Sequence, residues 1–161
     1  YIQAQQKTFK IINKYRKYNL NLFNLVFLQI ESPLRSSDFF IKKVCLGAKH
    51  KKKIIVGNIH TFRDYSWITE ITKSIILTSK LRANNFIISA GKKLSGKQIL
   101  KTAYSLNKLN YKKFFVIDSK FLRKNEKKIL IGSNKNLKYL GKKFKFKIFG
   151  KKLIEKMYKN L

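Results

Sequence analysis

The stretch ISAGKKLSGKQIL, residues 88–100, decides how this chain is read. Gly91 and Gly96 flank four residues and Lys97 follows, one residue short of the phosphate-cradling pattern G-x-x-x-x-G-K-[ST]. A short apolar run precedes it and a helical pattern follows, as that motif requires. Position 98, however, is Gln, which lacks the hydroxyl that would hold Mg²⁺. Ser95 followed three residues later by Gln98 also fits a capping box, in which each side chain satisfies a backbone N–H of the other. Too little chain follows Gly91 for a five-stranded nucleotide-binding domain. The stretch therefore reads as a capped helix start whose lysines can touch a backbone phosphate. A P-loop-like nucleotide-binding enzyme using Gly91 to Lys97 is the alternative.

Around this point strands and helices alternate. Residues 66–82 carry Ile68, Ile71, Ile75 and Thr78 at helical spacing, with Ser66 as cap and Glu70 in the first turn. Residues 85–90, 112–118 and 127–132 read as short strands. Residues 96–110 read as a helix with Ile99, Ala103, Leu106 and Leu109 inward. Ser133 caps a short helix through Leu140, and residues 144–150 alternate as a strand or edge. Leu153, Ile154, Met157, Tyr158 and Leu161 line a last helix. Such alternation predicts crossover units and a parallel sheet covered on both faces.

Residues 1–59 lack a sustained period. Residues 1–17 suit a short basic helix and 20–30 a buried strip. Residues 31–53, with the only proline and the cluster Lys49, His50, Lys51, Lys52, Lys53, read as irregular. The expectation is a three-layer α/β sandwich with a small, mostly parallel sheet and a long basic inserted arm. Residues 1–60 would be helix remnant and arm, and 61–161 the core domain.

Charge sets the expected partner. The chain has 161 residues, with 38 Lys and Arg against 7 Asp and Glu, a net charge of +31. Such a body repels itself unless a polyanion surrounds it. A/T-rich codons account for the abundant Ile, Phe and Asn but not for the surplus of Lys, and they suggest an organelle genome or an A/T-rich nucleus. The single cysteine, Cys45, excludes an internal disulfide, and Cys45, His50 and His60 match no zinc spacing. The acids are scattered in sequence: Glu31, Glu126 and Glu155 read as solvated, and Asp118 as a loop cap. No apolar run is long enough to span a bilayer. The last helix has a basic and an apolar face, as a membrane-surface helix would, but charge runs along the whole chain and fits folded RNA better. Tyr15, Tyr18, Phe39, Phe40, Phe62 and Tyr65 lie in or beside the basic segment, where rings can stack on bases.

FRDYSWITEITKSIILTSKLRANNFII (residues 62–88), SGKQILKTAYSLNKLN, KKFFVID and KKILIGSNKNLKYL, in this order and spacing, resemble the L-four family of large-subunit ribosomal proteins. Arg63-Asp64-Tyr65-Ser66 and residues 134–137 are the closest parts, and YIQAQQK looks like the end of that family's first helix. The resemblance implies a structural protein of an organellar, mitochondrial large ribosomal subunit, bound to rRNA and neighbouring ribosomal proteins. It would be no enzyme, no free homo-oligomer and no membrane insertion, with neither cofactor nor metal. Arg35, Lys42, Lys43, Lys49, His50, Lys51, Lys52, Lys53, Arg63, Tyr65 and Lys135 would contact RNA, each phosphate contact being salt-sensitive. An RNA-binding ribosomal subunit of unrelated family is a further alternative.

Overall fold

A computed structural model of the chain describes residues 2–133, 135, 137, 140 and 144–161. The elements run α1 (Ile2–Arg16), β1 (Asn24–Phe27), β2 (Gln29–Glu31), α2 (Phe40–Lys49), β3 (Ile54–Val56), β4 (Phe62–Trp67) and α3 (Ile68–Thr78). Then follow β5 (Asn85–Ile88), β6 (Lys93–Ser95), α4 (Gly96–Ser105), β7 (Phe115–Ile117), β8 (Ile129–Leu130) and α5 (Gly150–Lys159). The fold is α/β with small, mostly parallel sheets. β1 pairs with β5, β2 and β8 with β4, and β3 with β7, all parallel, while β6 runs antiparallel to β4. Where one sheet was expected, the strands divide among three.

Two hydrophobic clusters hold these pieces. In the larger, α2, α4 and α5 pack together through Ile41, Val44, Cys45 and Ala48, through Ile99, Leu100, Ala103 and Tyr104, and through Leu153, Ile154 and Met157. The α2 positions are spaced i, i+3, i+4, i+7, one helical stripe. Gly47 on this helix is needed for close approach. A Cβ there would sit 2.6 Å from Ile54 Cγ2 and 2.7 Å from the Tyr104 hydroxyl. The second cluster joins Ile71 of α3 to Phe86 and Ile88 of β5 and to Leu137, Leu140 and Phe146.

The capping box that opens α4 is formed: Gln98 N donates to Ser95 Oγ at 3.2 Å, and Ser95 N to Gln98 Oε1 at 2.9 Å. The inward positions of α4 are Ile99, Leu100, Ala103 and Tyr104, while Leu106 is exposed. α1, β5, β7 and β8 fall inside their expected segments, and α5 carries most of the residues expected to line the last helix.

Other expectations fail. Residues 31–53 are no arm: they end β2 and contain α2. The cluster Lys49 to Lys53 is that helix's C-terminus and closing turn, where cations meet the negative end of the dipole. Lys52 N donates to Gly47 O and Lys52 O accepts from the Tyr104 hydroxyl, so its backbone is committed to the core. Ser66 does not cap α3; the cap position is Trp67, with no side-chain cap bond. Residues 144–149 form no strand, because the N–H groups of Lys147 and Ile148 donate to the Glu70 carboxylate. The helix expected after Ser133 lies in part outside the described residues.

Ser95→Ala leaves one N–H of α4 without its acceptor. It should cost about 1 kcal/mol of stability, read as a lower midpoint in urea unfolding with an unchanged slope.

Candidate functional site: an arginine-lined cleft

The site is organised by β4. Side chains alternate across a strand, and here the alternation separates two jobs. Asp64 and Ser66 tie the strand down. Asp64 Oδ2 accepts from Gly91 N at 2.9 Å and Gly132 N at 3.2 Å, and Ser66 Oγ accepts from Ala90 N at 2.9 Å. Asp64 is 1% exposed, and burial raises its carboxyl above the usual range against the opposing pull of those N–H groups. Arg63 and Tyr65, on the alternate positions, line a cleft of about 580 Å³.

This arrangement answers the question of the glycine loop. Gly91 sits at φ 68 with its N–H on Asp64; residues 93–95 are a strand; Ser95 and Gln98 cap each other; and Lys97 N donates to Ile59 O at 2.8 Å. The N–H groups of Gly91, Ser95, Lys97 and Gln98, which a phosphate would need, are already bonded. The P-loop reading of Gly91 to Lys97 is therefore incorrect.

The cleft itself draws on distant segments: Gln29 and Glu31 of β2, Arg35, Asp38, Phe39 and Phe40 before and within α2, Asn58 and Thr61 before β4, and Phe121, Arg123 and Glu126 after β7. Glu31 is not solvated, as the sequence suggested, but 1% exposed. Its Oε1 accepts from Arg35 Nη1 at 2.6 Å, while Oε2 has no partner among the described residues. Burial raises its carboxyl from 4.5 to about 7, partly opposed by the Arg35 guanidinium. Arg35 also donates to Ile30 O and lies 3.5 Å over the Phe39 ring. Arg63 Nη2 meets Glu126 Oε1 at 2.6 Å, so Glu126 too is paired rather than solvated. Burial, with the Glu31 charge second, raises the Tyr65 phenol well above its ordinary range.

The composition of this lining departs from that of the chain. Only 5 of the 38 cationic residues are Arg, yet Arg35, Arg63 and Arg123 all line the cleft and no lysine does. Three of the 7 acids line it as well. Guanidinium forks bind phosphate and carboxylate in fixed, paired geometry, which an ammonium does not.

The other residues expected to bind RNA are dispersed. Lys42 Nζ donates to the carbonyls of Pro33 and Arg35, bracing the turn that carries Arg35. Lys43 lies over Phe121 and Lys49 over Tyr158. His50 caps α2 and Lys51 turns the chain at φ 54. Lys52, Lys53 and Lys135 are exposed. Of the rings, Phe62 lies under Lys93, and Tyr15 and Tyr18 tilt against each other. Asp118 caps a turn through Lys120 N, as read from sequence. Glu31, Arg123, Glu126 and Phe121 were missed, being far from Arg63 along the chain. Among the described residues no group of His, Cys, Asp and Glu could hold a metal, and no helix is long and apolar enough to cross a membrane. Burial pushes the Cys45 thiol up to about 12.

Solved structures share this α/β fold. A dTDP-glucose 4,6-dehydratase from Bacillus anthracis in complex with NAD matches with a TM-score of 0.71 and 15% identity over 92% of this chain and 48% of that one. A UDP-N-acetylglucosamine 4-epimerase from Methanobrevibacter ruminantium, bound to UDP-N-acetylmuramic acid, matches with 0.72 and 16% over 94% and 48%. RMD from Pseudomonas aeruginosa, complexed with NADPH, matches with 0.76 and 12% over 92% and 51%. The chain thus spans about half the length of the solved structures it matches. The family model for GDP-mannose 4,6 dehydratase matches residues 1–157, and the chain belongs to that family.

The resemblance to a ribosomal protein is thereby overturned, and with it the expected partners, rRNA and ribosomal neighbours, and the expectation of a non-enzymatic structural role. The physical reason is visible in β4. Arg63-Asp64-Tyr65-Ser66, the part closest to that family in sequence, lies in a central strand with two buried polar anchors.

The raised Glu31 carboxyl has a pH signature. Unfolded, it ionises near 4.5; folded, it keeps its proton to about 7. Its contribution to stability is therefore full below pH 4.5 and lost as pH rises to 7, roughly 3 kcal/mol at 1.36 per pKa unit. Glu31→Gln should flatten urea-unfolding stability across that window relative to wild type.

Proposed function

We propose that the chain binds a nucleoside-diphosphate sugar in the arginine-lined cleft, as part of a nucleotide-sugar dehydratase or epimerase. The observation that carries this reading is the concentration of Arg35, Arg63 and Arg123 there, in a chain whose cations are otherwise nearly all lysine. Membership of the GDP-mannose 4,6 dehydratase family supports it and makes GDP-mannose the first ligand to test.

The residues divide by chemistry. Arg123 is exposed and makes no ion pair among the described residues, so its fork is ready for a diphosphate. Arg63, held by Glu126, presents a second guanidinium of fixed orientation. Glu31 Oε2 is a buried, unpartnered carboxyl oxygen that a sugar hydroxyl would satisfy; an unmet buried polar group costs about 1–3 kcal/mol. Phe121, more than half exposed at the cleft wall, offers a ring face to a base.

The dinucleotide found with some structural neighbours does not fit the described residues. The glycines at 47, 57, 91, 96, 132, 141 and 150 contain no Gly-x-Gly turn, and the one glycine-flanked loop has its donors engaged.

Isothermal titration of GDP-mannose into the chain tests the reading. Saturable binding is expected, weakened about tenfold or more by Arg123→Gln, as befits loss of a charge-assisted contact. Lys49→Gln, on the far end of α2, should leave it unchanged. Absence of binding, or equal weakening by both variants, would refute the assignment.

A further inference from the structure

The two arginines outside the first cleft, Arg16 and Arg82, line a second one of about 460 Å³. Every arginine of the chain therefore faces one of two clefts, and neither contains a lysine. The second lies between the α1–β1 and α3–β5 connections, which lead into the paired parallel strands β1 and β5 at their N-terminal ends. The first cleft takes none of its residues from these segments.

Its walls are built of donors. Arg16 is fixed by three bonds: Nε to Leu22 O at 2.9 Å, Nη1 to Asn13 Oδ1 at 2.9 Å and Nη2 to Asn85 Oδ1 at 3.2 Å. One N–H remains on each terminal nitrogen. Asn84 Oδ1 accepts from Asn85 N, which leaves the Asn84 amide N–H groups as donors. Asn19 and Asn21 line the same cleft, and Asn19 holds φ 60. Arg82 is exposed and makes no ion pair among the described residues. No carboxylate lines the cleft.

The contrast with the first cleft is informative. There, Glu31 and Glu126 each hold an arginine at 2.6 Å. Here two guanidinium groups face one cavity with amide donors and nothing negative beside them. Two guanidinium groups lining one cleft both attract an anion placed there. A cation at a helix C-terminus accounts for Arg16. It does not account for Arg82, four residues beyond the end of α3, nor for the surrounding amides.

We propose that this cleft is an oxyanion site taking a phosphate monoester dianion, with Arg82 as principal ligand and pre-fixed Arg16 opposite. It is independent of the nucleotide-sugar reading.

The test is isothermal titration of inorganic phosphate into the whole chain at constant ionic strength, with chloride as the balancing anion. Saturable binding is expected, falling about tenfold or more in Arg82→Gln. It should persist in Arg123→Gln, which reports on the other cleft, and far-ultraviolet circular dichroism should show both variants folded. Should Arg82→Gln fail to fold, Asn21→Leu serves in its place, with a smaller loss expected. Phosphate binding that is absent, or equal in wild type and in Arg82→Gln or its substitute Asn21→Leu, overturns the proposal. So does binding to phosphatidic-acid vesicles without binding of free phosphate.

Discussion

The buried Asp64 carboxylate is the interaction on which the rest depends. It draws Gly91 N and Gly132 N onto one side of β4 while Ser66 takes Ala90 N. With that side fixed, the pleat sends Arg63 and Tyr65 to the other, and a one-residue slip would exchange the two sets. β2, β6 and β8 all pair with this strand, so its register sets where Glu31 meets Arg35 and where residues 121–126 close the cleft. The glycine-flanked loop that resembles a phosphate cradle in sequence is, in the fold, the donor that anchors Asp64.

Charge has two meanings in this protein. The net +31 is carried mostly by lysines on the surface, where a strongly hydrated ammonium costs little. The arginines and acids are few and gathered. That local pattern, rather than the total, is the basis of the proposed recognition of small phosphorylated ligands. The total alone implies a polyanion such as RNA, because a summed charge cannot show where the rare guanidinium groups converge.

Local chemistry was legible in sequence. The capping box at Ser95 and Gln98, the buried stripe of α5 and the short strands at β5 and β7 follow from spacing and residue type. α2 was hidden although Ile41, Val44, Cys45 and Ala48 form a stripe. Phe39 supplies no capping side chain, Gly47 interrupts the run, and the lysines that end the helix look like a loop. The cleft was legible only in part. Arg35, Arg63 and Tyr65 were singled out for their charge and aromatic character. Glu31, Glu126 and Arg123 were beyond reach, because their pairing and burial arise from strands and turns brought together across much of the chain.

The most direct measurement is amide hydrogen exchange of the folded chain with and without GDP-mannose. Exchange should slow in residues 29–40, 57–65 and 121–126, with Gly91 to Lys97 already slow and unmoved by the ligand. Fast exchange at Gly91 to Lys97 that becomes protected on adding the nucleotide sugar, with the other segments unchanged, would contradict the cleft assignment.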